Sequence, residues 1–192
     1  LAEVRKQAQA ARGRLASLEA LQHAALGQEK NVALDWLKAQ GIDGNPRLGE
    51  ALQVEAGWET AVETVLGSLL EAVTVDAPAD WLEAIAALSQ GRVALVGGAS
   101  GGFRAPAGSL AEKVQGPDAV RRQLAGVLAV EDIAAARALS LGEGQAAITR
   151  GGEWLGEGWL RVLRSGEAQQ GALAREREIQ SLRAEIEALA KK

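Results

Sequence analysis

Cysteine and tyrosine are absent from this 192-residue chain, histidine occurs once, and the aromatic set is one Phe and five Trp. Without a thiol there is no disulfide framework and no thiolate-held metal, which fits a reducing compartment. The single imidazole, His23, falls in a charged helical segment and reads as a solvated helix residue. With no second His and no Cys, nucleophile–base chemistry of the acyl-transfer kind has nothing to build from. Glu143, Glu153 and Glu157 lie in glycine-rich sequence and read as solvated carboxylates, not as an acid–base pair. No apolar run approaches the roughly 20 residues that span a bilayer, and no signal peptide opens the chain. The sequence starts at Leu1 and stops inside a helical pattern, so it reads as a piece of a longer protein.

The net charge of −4 is unevenly spread: residues 1–30 and 171–192 together carry +3, and residues 31–170 carry −7. An acidic body argues against a general nucleic-acid coat, and cations concentrate at the two ends. Leu1, Val4, Ala8, Ala11, Leu15, Leu18, Gln22 and Ala25 step alternately by three and four, a heptad seam. Arg5, Lys6, Arg12, Arg14 and Glu19 lie off it. Near the other end Ile179, Leu182, Ile186 and Leu189 repeat the spacing among Arg175, Glu176, Arg177, Glu178, Arg183, Glu185 and Glu187. Each segment is short for a stable lone helix, so the economical arrangement pairs the two, antiparallel. The expected organisation is an N-terminal arm over 1–30, a globe over 31–170 and a C-terminal arm over 171–192.

Within the globe, Gly41, Gly44 and Pro46 mark a break after a helix carrying Trp36 and Leu37. Leu52 to Val54 reads as a short strand, Trp58 to Leu66 as a helix with Ala61, Val62, Val65 and Leu66 inward, and Val73 to Val75 as a strand. Pro78 to Leu88 reads as a helix with Trp81, Leu82, Ile85 and Leu88 inward, followed by a strand at Val93 to Val96. A weak echo follows: "EAVTVDAPADWLEAIAAL" resembles "AGVLAVEDIAAARALSL", with Asp76 and Glu131 in matching places before the helices, where acids favour the amide-rich end. Ala146 to Thr149 then plays the part of Val93 to Val96. The fold class is α/β (α+β) with mixed sheets, in two related halves of about 31–103 and 104–170.

The stretch "GRVALVGGASGGFR" (91–104) looks like a strand opening a dinucleotide site, and a nucleotide-binding enzyme domain using the Gly97–Gly102 loop is the alternative reading. Such a loop must lead into a helix whose amides face a pyrophosphate. Here Pro106 and Gly108 interrupt, no acid stands at the ribose distance, and the chain has no Tyr to serve as the proton donor of short-chain dehydrogenases. No Walker lysine loop is present, and a flexible connection between the halves is the simpler expectation.

"LGEALQVEAGWETAVETVLGSLLEAVTVD" resembles the signature of the hinge domain of SMC (structural maintenance of chromosomes) proteins, carried by Val54, Gly57, Trp58, Glu59, Ala61, Val62, Glu63, Leu66, Gly67, Val73 and Val75. "LAGVLAVEDIAAARAL" and "AAITRGGEWLGEGWLRVLRSGEAQQG" resemble its second subdomain. Two places depart from the pattern: "LVGGASGG" and "SGEAQQG". The resemblance implies a two-subdomain hinge globe flanked by an antiparallel coiled coil. It implies a module that joins two SMC chains as a two-fold homodimer, is not itself an enzyme, and needs no cofactor or small-molecule substrate. The ATPase heads would lie elsewhere in the full protein, which would be cytoplasmic and nucleoid-associated. A zinc-hook relative is removed by the absence of cysteine. The dimer contact is expected at Gly151, Gly152, Gly156 and Gly158 with Trp159, Leu160 and Val162, completed by Leu95, Gly97 and Gly98. Glycines there would let two backbones approach. Weak, sequence-independent DNA contact is expected from Arg175 and Arg177 beside the arm, and from Arg104, Lys113, Arg121 and Arg122.

Overall fold

A computed structural model describes residues 2–25, 32–89, 91–162 and 172–191. The arms are α1 (Ala2–Ala25) and, at the far end, α8 (Ala172–Ala190). They lie against each other: Val4, Ala8 and Arg12 line one groove with Ile186 and Leu189, while Gln22 meets Glu176 at the globe end. Those two contacts make the pair antiparallel. The seam residues Val4, Ala8, Ala11, Leu15, Leu18 and Gln22 are buried or half-buried, as are Ile179, Leu182, Ile186 and Leu189. The side chain of His23 and the segment "SGEAQQG" lie outside the described residues.

Two parallel β–α–β units account for the internal echo. In the first, β2 (Val73–Val75) pairs in parallel with β3 (Leu95–Gly97), and between them a 3₁₀ turn at Pro78–Trp81 leads into α5 (Leu82–Ile85). In the second, β5 (Val127–Val130) pairs in parallel with β6 (Ala146–Thr149) around α7 (Ile133–Arg137). This second sheet continues antiparallel through β7 (Trp154–Gly156) and β8 (Trp159–Arg161). A two-stranded ribbon of β1 (Gln53–Val54) and β4 (Val114–Gln115) ties the halves together.

The remaining helices are α2 (Val32–Ala39), α3 (Leu48–Ala51), α4 (Glu59–Leu66) and α6 (Asp118–Leu124). One main core collects Leu48, Trp58, Val62 and Val96 from the first half and Leu110, Val120, Leu124 and Ile148 from the second, with Leu173 of α8 inserted among them. A smaller core packs α2 and α5 on β2 and β3 through Trp36, Leu37, Val73 and Val75, with Trp81, Ile85 and Leu95 around it.

Two local readings change. The helix expected over Pro78 to Leu88 is a 3₁₀ turn and one α-turn, and Leu82, expected inward, is 71% exposed. So short a segment half-buries Trp81 and Ile85 and leaves Leu82 in solvent. The strand expected over Val93 to Val96 is shifted to Leu95–Gly97, aligned with Val73–Val75. Glu131 stands before α7 as expected, and the next residue, Asp132, caps the helix, its Oδ1 accepting from the Ala135 amide at 2.8 Å, a role the sequence reading did not assign.

Trp58 is the largest fully buried side chain and stands where the halves meet, with Lys113 and Arg150 over its ring at 5.6 and 4.7 Å. Trp58→Ala should cost about 3–5 kcal/mol through the cavity it leaves, read as a lowered midpoint in urea unfolding. Preserved stability would show that the halves do not share this core.

Candidate interaction surface

The residues of the signature each hold something. The Gly57 backbone has φ +89, and the space a side chain would occupy is filled by the Arg150 guanidinium. The Gly57 amide donates to Glu59 Oε2 at 2.8 Å, and Glu59 Oε1 pairs with Arg177 Nη1 of α8 at 2.5 Å. Arg177 also donates to the Val54 carbonyl. One turn on, Glu63 Oε1 accepts the backbone amide of Leu173 at 2.7 Å, so α4 supplies a partner to the otherwise orphaned amides at the start of α8. Ala61 and Val62, on the opposite side of α4, are fully buried in the main core.

Across the same turn, Arg150 forms a two-point pair with Glu131, Nε to Oε2 at 2.5 Å and Nη2 to Oε1 at 3.1 Å, and reaches the Ala56 carbonyl at 3.4 Å. Hydrogen bonding to Arg150 holds the Glu131 carboxyl below its usual range, and the same bond raises Arg150. The pair is solvent-facing, so it fixes geometry more than it stabilises. Lys113 pairs with Glu55 at 3.2 Å on this side.

The cations proposed for polyanion contact therefore separate. Arg177 is engaged with Glu59 and Val54, and Arg175 is half-buried, donating from Nε to Gln22 Oε1 at 3.3 Å. Burial lowers the Arg175 pKa from its ordinary value. Arg104, Arg121 and Arg122 gather around Phe103: Arg121 and Arg122 stand 5.6 and 5.4 Å from its ring, and Arg121 Nη1 donates to the Phe103 carbonyl at 2.9 Å. Arg121 Nε is buried with no partner, while Arg104 and Arg122 are exposed.

The glycine loop after β3 opens no helix: residues 98–109 run irregularly to a 3₁₀ turn at Leu110–Lys113. The amides of Gly101 and Gly102 donate to the two carboxylate oxygens of Asp118 at 3.1 and 2.8 Å. The place where an anion would sit is occupied by the chain's own carboxylate, so the nucleotide-binding alternative fails here and the loop is anchored to α6.

The glycines of the second half make close contacts within the chain, Gly156 and Gly158 in the β7–β8 hairpin and Gly152 against α4. A side chain at Gly156 would overlap the Trp159 ring, which crosses the hairpin to stack edge-on against Trp154 at 5.1 Å. Gly152, at φ +88, presses against Thr60 and Thr64 of α4, and Gly158 makes the turn at φ +76. Gly151 abuts the Glu153 carboxylate, which accepts from the Thr149 hydroxyl and so is not merely solvated. Leu160 and Val162, at 69% and 47% exposure, stand bare on the outer strand, with Trp159 partly so. The unpaired edge of β8 and that of β3, bearing Leu95 and Gly97 with Gly98 just beyond, are both sheet termini among the described residues. The outer side of β2, by contrast, is covered by residues 46–47.

Between the arms Glu176 is buried, accepting from Gln22 Nε2 at 3.4 Å and Gln180 Nε2 at 3.3 Å; burial raises its pKa. A raised folded value means that this carboxyl favours the fold when protonated, below the unfolded carboxylate range, and that the advantage is lost as pH climbs through the folded value. Glu176→Gln should therefore raise the melting temperature by a few degrees at pH 7 and leave it unchanged near pH 4 in circular dichroism melts. An equal gain at both pH values would contradict the burial argument.

Comparison with known proteins places this geometry. The family model described as the SMC proteins' flexible hinge domain matches residues 42–140. The chain is 58% identical over 164 residues to the chromosome partition protein Smc of Xanthomonas oryzae pv. oryzae, and 42% identical over 178 residues to that of Coxiella burnetii. These alignments cover 84% and 89% of the chain and 14% and 15% of the relatives, so the chain spans about a seventh of their length. Among solved structures it is similar to the SMC hinge domain of Geobacillus stearothermophilus, crystallised as an asymmetric dimer (TM-score 0.68, 21% identity, covering 98% of this chain and 86% of that one). It is also similar to the Pyrococcus furiosus Smc hinge with an extended coiled coil (TM-score 0.52, 23% identity, covering 98% of this chain and 72% of that one). With arms, paired β–α–β units and signature in agreement, the chain belongs to the SMC family as a hinge domain of the chromosome partition type.

Proposed function

We propose that this hinge joins two SMC chains by self-association, and that β8 of each copy pairs with β3 of the other, twice about a two-fold axis. The observation that carries the reading is the bare apolar row on a strand whose outer edge has no partner among the described residues, Leu160 with Trp159 beside it and Val162 just beyond. Unpaired strand edges are templates for another chain, and exposed apolar neighbours mark such contacts. The Geobacillus relative of the same fold, described as a dimer, supports it. In this reading the glycines keep the β7–β8 hairpin thin and rigid, while Leu95, Gly97 and Gly98 offer the complementary edge. The hinge carries no catalysis of its own; the whole protein is a cytoplasmic, nucleoid-associated ATPase whose heads lie outside this span.

DNA is the second partner. Arg104 and Arg122 around Phe103, with Arg121 behind them and Lys113 on the neighbouring turn, supply a compact cationic face on an acidic body. A few backbone contacts give weak, salt-sensitive binding without base readout. Arg175 and Arg177 act chiefly in fastening the arm.

Two measurements test this. Leu160→Asp should convert dimers to folded monomers in sedimentation equilibrium, and an unchanged dimer would place the contact elsewhere. Replacing Arg104 and Arg122 together by Glu should weaken DNA binding about tenfold or more in low-salt fluorescence anisotropy, and unchanged binding would remove this patch as the DNA face.

A further inference from the structure

The two most exposed large apolar side chains among the described residues lie far apart in sequence: Leu82 at 71% on α5 and Leu160 at 69% on β8. The geometry points to their being one contact in the assembled protein, Leu82 of one copy covering Leu160 of the other. This inference rests on the proposed pairing of β8 with β3 and adds its direction and its covering layer.

The argument is topological. Register places Leu128, Ala147, Leu155 and Leu160 in one row across the second sheet, and Ala129, Ile148, Trp154 and Arg161 in the next. Neighbouring rows point to opposite faces. Ile148 and Trp154 face the main core, so α7, packed on β5 and β6, covers the face of Ala147. Leu155 is half-covered on that face and Leu160, at its far end, is bare. In the first half α5 covers the face of Val73, Val75 and Leu95.

Both β–α–β units take the right-handed crossover. Seen from its helix side with the parallel strands pointing up, β3 is the right-hand strand of its sheet. Seen the same way from α7, β8 is the right-hand strand of the second sheet and also points up. Two right-hand edges join into one sheet in two ways. If the strands run parallel, the second α5 lies on the core side and Leu160 stays bare. If they run antiparallel, it lies on the same face as α7, above the half-covered Leu155 and the bare Leu160. Only the antiparallel joint brings Leu82 and Leu160 to one face, with Val162, one residue past the end of β8, two residues on from Leu160. Leu82 stands on the layer that covers β3 and Leu160 on the strand that would lie beside β3, so the two become neighbours on one face. The occupant is a second copy of this chain, and α5 is the layer the β7–β8 hairpin lacks.

The chain has no cysteine, so introduced thiols report without background. Leu82→Cys and Leu160→Cys are prepared separately, mixed, left to exchange subunits, and treated with a short bis-maleimide. The expected result is a covalent dimer in the mixture, at least about tenfold above either variant alone. A second pair reads the same contact by affinity. Leu82→Lys and Leu160→Glu should each weaken the dimer about 10- to 100-fold, as expected for losing a buried leucine, and should prefer each other when mixed. Far-UV circular dichroism of each variant confirms folding, which both exposed positions tolerate. Loss of dimer with Leu160→Glu but not Leu82→Lys, or absence of the mixed cross-link, overturns this contact and leaves edge pairing standing. A dimer indifferent to both overturns the contact and edge pairing together.

Discussion

Two carboxylates on one short helix hold the molecule's far end in place. Glu59 pairs with Arg177 and Glu63 accepts the Leu173 amide, while the opposite face of α4 sends Ala61 and Val62 into the main core. An orphaned amide at a helix start needs a partner, and here the partner comes from another element 110 residues away. The exit of α8 from the globe is thereby set by a helix that is itself immobilised. Leu173 adds an apolar plug in the same core. Without that anchoring the two arms would have a seam but no defined root.

The root is polar as well as apolar. Gln22 and Glu176 meet buried between the arms, with Gln180 bonding to Glu176 from the exposed flank, where the seam otherwise carries aliphatic residues. Buried polar contacts in a coil cost stability and fix alignment. Outward along the arms Arg14 pairs with Glu178 and Arg183 with Glu19, exposed contacts that add little energy. Alignment is therefore decided near the globe, and the aliphatic steps farther out follow it.

Much of this architecture was legible in sequence because periodicity is a one-dimensional trace of packing. The described seam residues of both arms become buried or half-buried, and Val73–Val75 and Ala146–Thr149 are strands as their patterning requires. The two-copy echo became two β–α–β units. What failed depended on partners distant in the chain. Leu82 sits at helical spacing with Trp81 and Ile85, yet α5 is a single turn and leaves it outside. The intermolecular role expected of the second-half glycines remains a proposal; what the sequence did not announce is that within the chain Trp159 folds over Gly156 and α4 presses on Gly152. No local signal announced that Asp118 would fill the glycine loop, or that Arg150 would occupy the space above Gly57. Trp159, Leu160 and Val162 were named from sequence as a strand edge, while their exposure, and the exposure of Leu82, emerged only with the packing.

The connection between the halves, which composition marks as loose, is pinned at Gly101 and Gly102 by Asp118 and flanked by the β1–β4 ribbon. A tether of that kind has no slack. Tension applied along the arms would enter a shared apolar interior at Leu173 and be borne by both halves at once, so the globe resists bending about its own midline. In the proposed dimer, compliance would be left to the places where strand edges meet, so that the joint would yield under load before the block.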